Sequence, residues 1–179
     1  MSAHAYLRSV THLAHVELDA RLSGFDLGKP ADYTRFLTTQ AAAFLPIEQA
    51  LDEAGAAALV PNWTERRRGQ SLRDDLAALA AATPPAIAAP CFTDPAEILG
   101  GVYVLEGSRL GGSILSRSIA PGLPQRFLTG SVIRGGWKSL ILLLEHNLPS
   151  VVQRERAGNS AIMTFDCFFR AAMSVVEAR

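Results

Sequence analysis

The chain has 179 residues, of which 28 are alanine and 23 are leucine, and its 17 basic side chains balance 17 acidic ones at pH 7. This neutral charge gives no support for binding to nucleic acid or to an anionic membrane, because both depend on a basic surface. The longest Leu/Ile run, over 140–144, is far shorter than the roughly 20 residues that span a bilayer. No signal peptide is recognised at the N-terminus. We therefore expect one cytoplasmic domain over residues 1–179, with its own hydrophobic core.

An all-α fold is predicted, because alternating runs of Val, Ile, Thr and aromatic residues are missing. Pro46 should kink or break the second helix. Four prolines over 83–95 predict a crossing loop. The predicted helices cover about 4–22, 32–54, 62–82, 95–118, 136–147 and 160–178, with a short one near 149–156.

Two segments of the predicted helices carry clear local signals. Asp94 before Pro95, with Glu97 three residues later, is a strong helix start. Ser71 with Asp74 resembles a second start. The run Arg66-Arg67-Arg68 is typical of a solvated helix face, although an anion site is the alternative.

The helix from Pro95 is unusual, because five glycines interrupt it in a chain that uses alanine freely elsewhere. Each interior glycine costs about 1 kcal/mol relative to alanine, so the missing Cβ atoms must serve a purpose. At about 100° per residue, three of the glycines fall within about 40° of one another and form a strip of bare backbone. The strip is formed by Gly100, Gly107 and Gly111. Either another helix packs closely here, or a flat ligand lies on the backbone. Ser108 and Arg109 beside the strip favour a ligand with a polar centre.

The first helix carries three of the four histidines: His4, His12 and His15. A helical wheel places His15 at the border of the apolar face and His12 toward water, and Arg8 lies two turns before His15 on the same side. A lone histidine in this position is more often a core residue than a ligand. The spacing provides no zinc site, because a third nearby ligand is missing. One imidazole with a neighbouring cation does suit haem, whose iron takes one proximal histidine and whose propionates need a basic partner.

Two segments together resemble the haem oxygenases. LRSVTHLAHVELDARL, which contains Leu7, Thr11 and His15, resembles their proximal helix, and YVLEGSRLGGSIL resembles their distal helix. The similarity is greatest to the short bacterial members that accompany bacteriophytochromes. It also includes Arg73-Asp74-Asp75-Leu76 and Gly136-Trp137, so it covers most of the chain.

The resemblance implies a single-domain, all-α, multi-helical fold that holds haem between the N-terminal helix and the glycine-rich helix. His15 would be the iron ligand, and Arg8 would meet a propionate. Gly107, Gly111 and Gly112 would bring bare backbone to the haem. The sequence departs from the mammalian members at Ser108, where they carry an aspartate that organises distal waters and that bacterial members often lack. The expected catalytic set is Gly107, Ser108 and Gly111. No basic residue of the C-terminal helix can be assigned, and Arg170 is a weak candidate.

The implied activity is cleavage of haem to biliverdin, CO and ferrous iron, with O₂ and external electrons. A ferredoxin- or flavodoxin-type reductant is expected, because the chain contains no dinucleotide fingerprint and no iron–sulfur cysteine set. A bacteriophytochrome is the expected bilin acceptor by resemblance alone. Two alternatives stay open: a protein that binds haem or a bilin without turnover, and a helical adaptor whose glycine strip is a packing seam.

Overall fold

The computed structural model describes residues 1–130, 133 and 135–177, and within these ranges the chain forms helices and loops without any strand. The all-α prediction is confirmed. The helices are α1 (Ala3–Leu22), α2 (Pro30–Glu53), α3 (Ala56–Leu59), α4 (Trp63–Arg66), α5 (Gly69–Ala78), α6 (Pro95–Leu115), α7 (Arg126–Thr129), α8 (Gly136–Asn147) and α9 (Val151–Glu177).

Several of the predicted boundaries are confirmed. The first, second and 136–147 helices agree within two residues, and α6 continues as a 3₁₀ turn to Ser118. At its start, the carboxylate of Asp94 accepts hydrogen bonds from the backbone N–H groups of Ala96 and Glu97, at 2.8 and 3.0 Å. Glu97 in turn accepts from the backbone and hydroxyl of Thr93. Local capping chemistry therefore fixes where α6 begins.

Two parts of the helix prediction are wrong. The segment 62–82 divides into α4 and α5, because Arg67 is extended and Glu48 accepts the backbone N–H groups of Arg68 and Gly69, which opens a new helix there. Ser71 lies inside α5 and not at its start. The two C-terminal helices are one continuous α9. The predicted end of that helix at residue 178 lies outside the described residues.

Pro46 lies inside α2 without ending it. Proline has no N–H, so the carbonyl of Ala42, four residues earlier, loses its helical donor. The backbone N–H of Ile87 donates to that carbonyl at 2.8 Å. The break in the helical hydrogen-bond ladder therefore becomes an attachment point for the predicted crossing loop, which does lie between α5 and α6.

Helix α9 is the central element of the core, and α1, α2 and α6 all pack against it. Two glycines permit the closest approaches. A Cβ on Gly100 would overlap the carbonyl oxygen of Ala157 and lie 3.0 Å from the Cβ of Ser160, whereas Gly158 faces Tyr6 and Val10 of α1. Helices α1 and α6 are therefore both positioned by α9. Among the described residues, none of the helices is long and apolar enough to cross a membrane.

Candidate functional site

The glycines of α6 have two different environments, so the single strip predicted from the helical wheel is only partly correct. Gly100 belongs to the seam with α9, and a Cβ on Gly101 would meet the ring of Phe92 at 2.7 Å. Gly111 has no atom within 4 Å of the Cβ position, and Gly107 has only Trp137, at 3.9 Å. Helix packing therefore accounts for Gly100, whereas the backbone is open at Gly107 and Gly111.

Gly112, which was expected on the ligand side, is buried. Its Cβ position lies 3.2 Å from the side chain of Leu128 and 3.4 Å from the Leu128 carbonyl. The backbone of Gly112 thus faces α7 and allows that short helix to approach α6. Among the glycines predicted to contact a ligand, Gly107 and Gly111 are the two with open space beside them.

Helices α1 and α6 meet at Tyr103, four residues before Gly107. Its side chain lies near Thr11 and Arg8 of α1. Burial raises the pKa of Tyr103, and Thr11 and Arg8 partly oppose that shift. The ring lies 6.3 Å from His4 and 5.7 Å from Trp137. This aromatic contact joins the histidine-bearing side of α1 to the open side of α6.

His15 lies on the same side of α1 as His4, Arg8 and Thr11. Its side chain is 61% exposed, its ring centroid lies 5.9 Å from that of Phe165, and its Nε2 is 3.5 Å from a carboxylate oxygen of Asp19. We expected His12 to be more exposed to solvent than His15, but both side chains are exposed. A wheel gives direction only, and exposure depends on how far the neighbouring helices extend. Contact with Phe165 does place His15 at the border of the core.

A shallow depression of about 410 Å³ lies along α1 beside this stripe. The residues that line it are His4, Ala5, Arg8, Ser9 and His12. Among the described residues, no carboxylate lies within ion-pairing distance of Arg8. Its guanidinium is therefore available to an anionic group at this surface.

The arginine run is not a solvated helix face, and that prediction is wrong. Arg66 is 4% exposed and Arg68 is 3% exposed, whereas only Arg67 reaches solvent. The Arg66 guanidinium donates to the carboxylate of Glu106 at 2.7 Å, to the hydroxyl of Ser139 at 2.8 Å and to the carbonyl of Gly136 at 3.3 Å. Arg66 therefore joins α4, α6 and the first turn of α8.

Arg68 binds α6 at Leu105 and Ser108. Its Nη2 donates to the Leu105 carbonyl and to the Ser108 hydroxyl, both at 2.6 Å, and its guanidinium lies between the rings of Phe44 and Phe127 at 4.8 and 4.9 Å. Burial, with a contribution from nearby Arg109, lowers the pKa of Arg68 to about 9, so the side chain keeps its charge at neutral pH. The Ser108 hydroxyl donates to the Leu105 carbonyl at 2.7 Å, and its oxygen accepts from Arg68.

These arginines are the site residues that sequence reasoning missed. The available signal was Glu106, the one carboxylate in the apolar stretch 98–107 of α6, which needs a cationic partner if it is buried. That partner lies 40 residues away in sequence. Among the described residues, no group of three or more His, Cys, Asp or Glu side chains could hold a metal ion.

Comparison with known proteins agrees with the resemblance seen in the sequence. The chain is 34% identical over 101 residues to a curated protein named heme oxygenase from Xanthomonas campestris pv. campestris (strain 8004). That alignment covers 53% of this chain and 61% of the relative, so the match spans about three fifths of the relative's length. No protein-family model matches the chain.

Among solved structures, the chain is similar to the NO- and CO-bound heme oxygenase from Neisseria meningitidis. The TM-score is 0.81 at 16% identity, over 99% of this chain and 93% of that chain. The fold is therefore the haem oxygenase fold, and the predicted resemblance to that family is confirmed.

Proposed function

We propose that the protein is a haem oxygenase, which uses O₂ and external electrons to cleave haem to biliverdin, CO and ferrous iron. The observation that carries the proposal is the open backbone of Gly107 and Gly111. Tyr103 connects that backbone to the side of α1 that bears His15 and Arg8. The shared fold and the relative named heme oxygenase support the same conclusion.

The residues present fit a flat, anionic, iron-containing ligand. A planar macrocycle needs a surface without side chains, and Gly107 and Gly111 leave such a surface on α6. Its iron needs one imidazole, and the ring of His15 is accessible. Its carboxylates need a cation, and Arg8 lies on the same side of α1 as His15, near Tyr103.

Each of these residues then has a defined task. His15 would bind the iron through one ring nitrogen. A carboxylate oxygen of Asp19 lies 3.5 Å from Nε2, so this carboxylate could accept a hydrogen bond from the imidazole and orient the ring. Arg8 would pair with a propionate. Haem when bound supplies both the iron that activates O₂ and the ring that is cleaved.

On the other side of the ligand, the protein acts mainly through shape. Gly107 and Gly111 leave room above the ligand and present only backbone. The proton of the Ser108 hydroxyl is donated to the Leu105 carbonyl, so toward the ligand or its waters this oxygen would act as an acceptor. Ser108 thus supplies no strong acid, and proton delivery would depend on water held by the α6 backbone.

The expected partners follow from the chemistry of this reaction. Electrons would come from a ferredoxin- or flavodoxin-type protein, and biliverdin would pass to an acceptor such as a bacteriophytochrome. A cytoplasmic location and a single domain over residues 1–179 are part of the same proposal.

The test is a hemin titration of the purified protein, followed by addition of a reductant in air. We expect a Soret band on binding and its conversion to a bilin spectrum on reduction. His15→Ala should lose the iron–imidazole spectrum, whereas the matched variant His12→Ala should keep it, because only His15 contacts Phe165 at the edge of the core.

Three results would argue against the proposal. No spectral change on adding hemin would exclude both haem hypotheses and favour the helical adaptor. A stable Soret band under reductant and O₂ would favour a haem-binding protein without turnover. Equal loss of ligation in His12→Ala and His15→Ala would contradict the assignment of the iron ligand.

A further inference from the structure

We infer that Glu106, through Arg66 and together with Arg68, is a positioning residue that holds the open glycine segment of α6 in place. We call the three side chains the arginine clamp. The inference rests on the proposed function, because the role of the clamp is to fix the position of the Gly107 and Gly111 backbone relative to bound haem. None of the three side chains is expected to touch the ligand.

The clamp begins with a buried ion pair on one side of Gly107. The Glu106 carboxylate accepts from Arg66 at 2.7 Å through one oxygen and from Arg109 at 3.2 Å through the other. Arg109 also donates to the backbone carbonyl of Arg66 at 2.7 Å. Both carboxylate oxygens are therefore engaged, and the turn of α6 around Glu106 is tied to α4 by side-chain and backbone bonds.

A second set of bonds lies on the other side of Gly107. Consecutive residues of a helix project about 100° apart, so Glu106 and Ser108 flank Gly107 on opposite sides. Arg68 donates to the Ser108 hydroxyl and to the Leu105 carbonyl. The clamp thus brackets Gly107 and leaves its open face untouched.

The clamp itself is firmly seated in the fold. Arg66 also donates to the carbonyls of Pro61 and Gly136 and to the Ser139 hydroxyl. Arg68 is fixed by two aromatic rings, and its backbone N–H donates to Glu48 at 2.7 Å. A shift of α6 would have to break its bonds to Arg66 and Arg68, or pull those arginines away from their partners in α2 and the first turn of α8.

The glycine segment needs such support for a physical reason. An ordinary helix is held by side chains that interlock with its neighbours, but the open side of Gly107 and Gly111 offers none. Glycine also has the greatest backbone freedom. A buried ion pair is seldom the most stabilising choice for a core, although it can specify one arrangement among several apolar ones. Here it constrains the helix from behind and leaves the ligand face bare.

The experiment compares Glu106→Gln with the control Asp94→Ala. The control weakens the same helix at its other end, where Asp94 caps the first turn, and does not touch the clamp. Amide hydrogen exchange is measured in the haem-free protein, so the readout does not depend on activity. We expect exchange of residues 107–112 to accelerate about tenfold or more in Glu106→Gln and to change less than about twofold in Asp94→Ala.

A second measurement uses the hemin-loaded protein. The pH of the acid–alkaline transition in the ferric absorption spectrum should shift in Glu106→Gln, while the spectral signature of His15 ligation is retained. If Glu106→Gln does not fold, Arg66→Lys replaces it. That variant keeps a charge opposite Glu106 but loses the forked bonds to Gly136 and Ser139, and the same local acceleration of exchange is expected.

The outcomes separate the clamp from the proposed function. Unchanged exchange at 107–112 in both clamp variants, or an equal acceleration there in Asp94→Ala, overturns the inference even if the wild type binds and degrades haem. A wild type that does not bind hemin overturns the proposed function, and with it the role toward haem, whatever the exchange data show.

Discussion

Replacing Gly111 by alanine should stabilise the fold and impair the function. A Cβ at this position meets no atom within 4 Å, and the backbone of Gly111 is helical. Alanine should therefore gain helix propensity without a clash, about 0.5–1 kcal/mol of unfolding free energy. For a chain of this size that corresponds to a rise in Tm of about 1–4 °C. The same methyl group would occupy the space that we assign to the ligand.

The matched control is Gly100→Ala in the same helix. Its methyl group would overlap the Ala157 carbonyl, and relieving that overlap requires α6 and α9 to separate. Overpacking of this kind costs about 1–3 kcal/mol, and because the overlap is with backbone we expect this cost to exceed the gain in propensity. We expect urea denaturation of the haem-free proteins, followed by circular dichroism, to give changes of opposite sign for the two variants.

Hemin titration and turnover of the same variants complete the test. Gly111→Ala should bind hemin more weakly or turn it over more slowly although it is the more stable protein. Two results would refute the reasoning: a loss of stability in Gly111→Ala as large as in Gly100→Ala, or full activity in a stabilised Gly111→Ala.

Two further predictions concern helix starts. Burial alone would raise the pKa of Asp94, but bonds from Glu97, Arg156 and Ala96 outweigh it and hold that pKa below its ordinary value. The pKa of Asp94 is therefore lower in the folded state than in the unfolded state. Its stabilising effect is complete at a pH above the unfolded-state pKa and should be lost as the pH falls through the folded-state pKa. Urea denaturation between about pH 6 and pH 3 should show this loss in the wild type but not in Asp94→Asn, which keeps a capping oxygen; parallel curves would contradict it. The carboxylate of Glu145 accepts hydrogen bonds from the backbone N–H groups of Ala3 and His4 at the start of α1. Glu145→Ala should therefore lower the free energy of unfolding by about 1 kcal/mol, whereas the exposed control Glu155→Ala should leave it almost unchanged. Equal losses in the two variants would count against this cap.

Local chemistry was sufficient for several features of the molecule. The start of α6 depends on Asp94, Pro95 and Glu97, which are neighbours in the chain, and it is found where predicted. The glycines of α6 could also be recognised as unusual from the sequence, because the rest of the chain is rich in alanine. These features can be read from the sequence because their causes lie within a few residues of one another.

The errors have a common cause as well. The long α9 and the division between α4 and α5 depend on contacts outside each segment, such as the capping of α5 by Glu48 of α2. Periodicity within a segment cannot report a partner elsewhere. The exposure of His15 was misjudged for the same reason, since it is set by the extent of the neighbouring helices.

The sequence by itself determined that the chain is helical, that α6 contains glycines where alanine would be the better helix former, and that His15 and Arg8 lie on one side of α1. Only the tertiary structure decided which glycines serve packing and which leave open backbone, because that depends on what lies across from each one. It also decided that Arg66 and Arg68 are buried. A guanidinium can leave water only where its bonds are replaced, and those of Arg66 come from Glu106 and Gly136, 40 and 70 residues away along the chain.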